Sequence, residues 1–209
     1  MDMITEIRRE RGRYRVTVSE TEDFLVPVSL MRERPLTVGQ PLDVEEYDNW
    51  LMVRQYRHAL DRAVAYLAAR ARSRREVESK LQQAGYRPCT IEMVLYKLER
   101  EHILDDADFA RQWVDARSTR KLGRSRIAQE LRRKGVSADE AEAALSAIDD
   151  EDQLAGAAAL AEKAIARIKP GEDRRKAENR ILAMLARRGY SWDVAKQALQ
   201  MAQENSDEL

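Results

Sequence analysis

The chain has 209 residues, 37 Lys and Arg against 37 Asp and Glu, and therefore a formal net charge of zero; charged residues make up 35% of it and aromatics 6%. That composition belongs to Arg- and Glu-rich exposed helices around thin cores, and it argues against a bulky α/β enzyme. A single cysteine, Cys89, excludes an intrachain disulfide and a CxxC metal or redox site.

Charge is segregated in spite of the zero sum. Residues 1–50 carry 7 basic and 11 acidic side chains, 51–150 carry 20 and 16, and 151–209 carry 10 of each. Within Arg111 to Lys134, nine basic residues face only Asp115 and Glu130. The opening MDMITEIRRE lacks an apolar core of signal-peptide length, and no window approaches the roughly eighteen apolar residues of a membrane span. A soluble protein of a reducing cytoplasm is expected.

In residues 1–42, Tyr14, Val16 and Val18 alternate with polar residues, as do Phe24, Val26 and Val28, which is the period of half-buried strands. A small β-hairpin is predicted, with a turn at Gly12 before its first strand and an exit punctuated by Pro27, Pro35, Gly39 and Pro41. Asp43 and Glu46 then form a capping-box pattern, and from Val44 to about Ala71 there is no Pro or Gly, which predicts one long helix, or two with a bend, with Leu60, Val64 and Leu67 as the apolar stripe. Ser73 and Glu76 cap the next helix, which ends at Gly85. Pro88, at a first helical position where its missing N–H costs nothing, opens another to about Glu101.

At LDDADFARQWV, Asp105 or Asp106 caps a helix with Phe109, Trp113 and Val114 on one face, which reads as core. A helix from about Gly123 ends at Gly135, and a Ser137-capped helix, with Glu140 completing the box, runs to Ile148. The run Gln153–Ile168 is helical, breaks at Pro170 and Gly171, and is followed by a helix to Gly189, a Ser191 cap, and a last helix that frays in QENSDEL.

One spacing recurs three times along this path: Val77, Leu81, Gly85, Leu95; Ile127, Leu131, Gly135, Leu145; Ile181, Leu185, Gly189, Leu199. Residues four apart share a helix face, and the Gly supplies the left-handed residue that ends the helix. Tyr86 and Tyr190, directly after two of these glycines, are expected to pack back over the helix end, and Tyr47 and Trp50 to join the hairpin to the helices. The expected architecture is mainly α: a β-rich extension (1–42) and three three-helix repeats (43–103, 104–150, 151–209) in an elongated curved array. Arrays of this kind bind rather than catalyse.

Basic residues precede each copy of the spacing: Arg70, Arg72, Arg74 and Arg75; Arg117, Arg120, Lys121, Arg124 and Arg126; Arg174, Arg175, Lys176 and Arg180. The middle group continues into Arg132, Arg133 and Lys134, and is the first candidate for a salt-sensitive contact with phosphate or an acidic protein surface. His58 and His102 stand far apart, Asp105, Asp106 and Asp108 read as helix-capping, and no metal, cofactor or catalytic group is expected.

The segments RSRREVESKLQQAGY, LDDADFARQWVDARSTRKLG, RSRIAQELRRKGVS and ILAMLARRGYSWDVAKQAL resemble the RecX family of bacterial recombinase regulators, over roughly residues 55–200. The LDD-x-x-FA motif, the G-x-x-RI-x-x-EL motif and three ordered repeats agree. The resemblance implies three tandem three-helix repeats and a non-enzymatic protein of DNA repair, recombination and the SOS response. It also implies that the protein lies in the groove of the RecA filament on single-stranded DNA and restrains its growth, ATPase and strand exchange. A monomer is expected. The basic residues named above come from charge clustering and not from a family motif. Two other readings stand beside this one: a direct DNA-binding protein whose helices around Gly135 act as a helix-turn-helix, and a repeat scaffold for an unrelated partner.

Overall fold

The structure, a computed structural model, describes residues 2–19, 23–169 and 171–207. Pro170, the predicted break, and the last two residues of QENSDEL lie outside that range. The chain forms two compact units that meet in sequence at Asp105 and Asp106.

The first unit opens with strands β1 (Asp2–Glu10), β2 (Arg13–Val18), β3 (Phe24–Pro27) and, after helix α1 (Val28–Glu33), β4 (Pro41–Leu42), in the antiparallel order β3-β2-β1-β4. The predicted hairpin is the β2–β3 pair, with Tyr14 opposite Val26 and Val16 opposite Phe24. Val28, predicted as strand, begins α1 instead. Pro27 precedes it at φ −55°, a pre-set helical entry, and the helix carries Leu30 and Met31 onto the core.

Strand β1 has no clean alternation to read, because the apolar residues that face the core, Ile4 and Ile7, are three apart and Met3 is exposed. The ladder explains this: the register slips between Ile4 and Glu6, so that Ile4 pairs with Val18 and Ile7 with Val16, and both pack on the same core.

Helix α2 (Val44–Ala68) starts as predicted, with Asp43 accepting from the Glu46 N–H at 3.0 Å, but Glu46 turns to Arg34 instead of closing the capping box. Its buried stripe is Tyr47, Leu51, Gln55, Ala59 and Ala63; Leu60 and Leu67 are half-buried and Val64 is exposed, so the predicted stripe is displaced by about one residue. The early part of α2 completes the sheet core, where Tyr47 touches the rings of Phe24 and Trp50 and burial pushes its phenol up to about 12. The later part packs on α3 (Arg74–Gln83) and α4 (Pro88–Arg100), with Val77, Leu81, Ile91, Val94, Leu95 and Leu98. One helix thus serves two cores, which suits its length.

The second unit holds α5 (Asp106–Ser118), α6 (Arg124–Lys134) and α7 (Ala138–Leu145), then α8 (Asp150–Ile165), α9 (Arg174–Arg187) and α10 (Trp192–Asp207). Phe109, Val114, Ile127, Leu131 and Leu145 make the core of the first trio; Ala157, Ala161, Ile181, Leu185, Ala198 and Leu199 that of the second. Gly85, Gly135 and Gly189 are left-handed, at φ 88°, 84° and 94°, and Tyr86 and Tyr190 are buried beside two of them. The fold is therefore mainly helical, with three three-helix repeats behind a β-rich N-terminal segment. Two ends differ from expectation. Helix α7 stops at Leu145, although Ile148 still packs on its core, and α10 does not fray through QENSDEL but continues to Asp207. Its last turns are tied by Gln203 donating to Glu178 and Asn205 to Glu162. Among the described residues no helix is long and apolar enough to cross a membrane.

Candidate partner-binding site

The middle basic group is built on Trp113, at half burial on α5. Its ring stacks on Phe109 at 5.5 Å, takes the Arg117 guanidinium at 3.9 Å and the Lys134 ammonium at 4.8 Å, and its Nε1 donates to Glu130 Oε2 at 3.2 Å. Arg117 Nε donates to the same oxygen at 2.6 Å, and Arg126 Nε lies 3.5 Å from the other. Burial by itself raises the Glu130 pKa; hydrogen bonds from Arg117 and Trp113, with the charges of Arg117 and Arg126, outweigh it and hold the carboxyl below the usual range.

A depressed carboxyl stabilises the fold above its ordinary pKa, and that contribution disappears as pH falls through the lowered value. Glu130→Gln keeps an acceptor but loses the charge. It is expected to lower the unfolding free energy by about 1 kcal/mol near neutral pH. Denaturant titrations at several pH values should show the deficit closing in acid, below the ordinary glutamate range.

The other expected site residues fall into two sets. Arg124 donates to Asp150 at 2.5 Å and to the Ile148 carbonyl; Arg70 reaches Glu76 at 3.1 Å; Arg72 lies over the Tyr66 ring at 4.1 Å; Arg74 bridges Glu92 at 2.7 Å and Glu99 at 2.8 Å; Arg174 pairs with Glu178 at 3.1 Å. Arg70, Arg72, Arg74 and Arg124, with Arg117 and Lys134, tie separate elements together, whereas Arg126 and Arg174 pair with residues of their own helices. Arg75, Arg120, Arg132, Arg175 and Lys176 are exposed and their side chains have no partner among the described residues, half-buried Lys121 has none there either, and Arg133 contacts its own helix at 3.4 Å. Arg180, at the end of the third group, pairs with Glu172 at 2.5 Å.

The position of these cations is informative. Helices α6 and α9 have no acidic residue in the first turn, yet Arg124 and Arg126 open one and Arg174, Arg175 and Lys176 the other; Arg74 and Arg75 open α3. Positive charge at a helix N-terminus opposes the macrodipole by about 0.3–1 kcal/mol per residue, so helix stability does not account for it. Sequence reasoning passed over a second basic group, Lys163, Arg167, Arg187 and Arg188, which lines a cleft in the third repeat. The signals present in the sequence are the four-residue spacing of Lys163 and Arg167 and the Arg pair before Gly189.

Family models for the first, second and third three-helix domains of RecX match residues 59–98, 105–145 and 150–199. The regulatory protein RecX of Mycobacteroides abscessus is 35% identical over 191 residues, covering 89% of this chain and 88% of that protein. That of Bacillus pumilus is 28% identical over 212 residues, covering all of this chain and 80% of that one. Among solved structures, a crystal structure titled regulatory protein RecX aligns with a TM-score of 0.67 at 25% identity over 94% of this chain and 98% of its own. RecX from Lactobacillus salivarius gives 0.68 at 26% over 72% and 98%.

Proposed function

The chain belongs to the RecX family of regulatory proteins, and from that premise we propose that it binds the RecA recombinase filament on single-stranded DNA and restrains its ATPase, growth and strand exchange. It does so as a cytoplasmic monomer, without cofactor and without chemistry of its own. The observation that carries this reading is the set of cations left over after internal pairing: Arg75, Arg120, Arg132, Arg175 and Lys176, with Lys121 and Arg133 beside them. Partner-free guanidinium and ammonium groups cost little to desolvate against phosphate or carboxylate compared with breaking an existing ion pair, and they make association fall steeply with salt. Arg70, Arg72, Arg74, Arg117 and Arg124, with Lys134 on the Trp113 ring, position the helices that present them, and Arg126 and Arg174 are paired within their own helices.

The test is DNA-dependent ATP hydrolysis by RecA with and without this protein. Reversal of Arg120, Arg132, Arg175 and Lys176 to Glu is expected to raise the half-inhibitory concentration at least about tenfold, on the order of 1.4 kcal/mol, with helicity unchanged. Undiminished inhibition removes these cations from the mechanism. Anisotropy against random single-stranded and duplex DNA at two salt concentrations separates the helix-turn-helix alternative, which requires a strong preference for one duplex.

A further inference from the structure

Helices α8 and α9 of the third repeat part over a cleft of about 1060 Å³ whose floor is aliphatic and whose rim is basic. Leu160, Ala164 and Met184 are half-buried along it, and Ile181, at 1% exposure, closes the bottom. Lys163 and Arg167 stand on one side and Arg187 and Arg188 on the other. Among the described lining residues the one carboxylate, Glu172, is held by Arg180 at 2.5 Å, so it does not compensate the rest of the rim.

Helix C-termini favour Lys and Arg, which accounts for some of this charge. It does not account for the opening between the two helices, nor for aliphatic side chains left half-covered beneath like charges. Lys163 and Arg167, four apart on α8 and its following turn, also repel one another by a few tenths of a kcal/mol. Charge and floor together describe a receptor for a ligand that is anionic at its edges and aliphatic at its centre.

Single-stranded nucleic acid fits poorly, because sites for it offer aromatic faces on which bases stack, and the lining residues include no aromatic side chain. A peptide fits both features: acidic side chains on the rim and Leu- or Ile-like anchors on the floor, the pattern of acidic-motif and helix-in-groove recognition. We infer that this cleft docks an acidic, aliphatic-anchored segment of a partner protein. The inference goes beyond the recombinase reading and does not rest on it, since binding is measured on this protein alone.

The probe is a fluorescein-labelled peptide in which Glu and Asp alternate with Leu, followed by anisotropy at low salt. The full chain should bind it, and Arg167→Glu with Arg187→Glu should weaken binding by about tenfold or more, with an unchanged circular dichroism spectrum. Arg54→Glu with Arg57→Glu, exposed on α2 and outside the cleft, should leave affinity within about twofold of the parent. Poly-glutamate of equal charge should bind more weakly than the peptide, because it lacks the anchor. No binding, equal loss from both double reversals, poly-glutamate binding as tightly as the peptide, or an oligothymidylate of matched charge competing as well as the peptide would each overturn the proposal.

Discussion

Replacing Gly123 by serine is expected to destabilise the second unit by about 3 kcal/mol, although serine is as good an N-cap as proteins use. Gly123 caps α6 at φ −76° and ψ 155°, an ordinary extended conformation, so its backbone has no need of glycine. Serine fills the equivalent position before α3, where Ser73 closes a capping box. The difference is the neighbour. A Cβ on Gly123 would be driven into the carbonyl of Gly189 and the Tyr190 nitrogen, all main-chain atoms that no rotamer change can clear.

The two segments are also bonded there: Gly123 N donates to the Arg188 carbonyl at 2.9 Å and Ser125 N to the Gly189 carbonyl at 3.2 Å. Gly189 is equally confined, since it is left-handed at φ 94° and a Cβ there would run into the Arg126 backbone and Cβ. The loss therefore reports the junction between the second and third repeats and not the helix cap. Chemical denaturation measures it; a Gly123→Ser variant as stable as the parent would mean that the repeats do not abut here.

The contrast between cap and junction shows where sequence stops being informative. The cap at Ser73, the box at Ser137 and the ends at the three glycines are local: each is decided by a few residues, and the structure has all of them. What sequence could not supply is which groups meet across elements. Gln55 and Gln153 look like ordinary polar helix residues, yet both are buried, and their side-chain oxygens accept the N–H of Arg87 and of Arg124, each at 3.1 Å, at the starts of other helices. Strand β1 was illegible because a slip in register hides its alternation.

At the candidate site the same division holds. Clustering of Arg in sequence found the charge, but the pairing of Arg117 with Glu130, or of Arg74 with Glu92 and Glu99, depends on helices brought together from 13, 18 and 25 residues away. Sorting bridging cations from unpartnered ones therefore needed the packing. The cleft cations escaped for a related reason: α8 and α9 are read separately in sequence, and only their divergence makes Arg167 and Arg187 neighbours of one opening.

Leu131→Ala is expected to cost about 2–5 kcal/mol, the range for emptying a fully buried leucine site. Alanine is the best helix former, so α6 itself loses nothing and the whole deficit belongs to burial. Leu131 is 0% exposed, and three of its core companions, Ala110, Ala141 and Ala144, are already small. A core this thin has few long side chains able to swing into the void, which places the result toward the upper part of the range.

The repeat makes the claim stricter. Leu81 and Leu185 hold the same place before Gly85 and Gly189 and are equally buried, so Leu185→Ala should fall in the same range, as should Leu81→Ala in the first unit. Surface substitutions change stability by less than about 0.5 kcal/mol. A loss that small at Leu131 would put its helix face in water, and the threefold spacing would then be a coincidence of composition and not the packing rule from which the cations gain their positions.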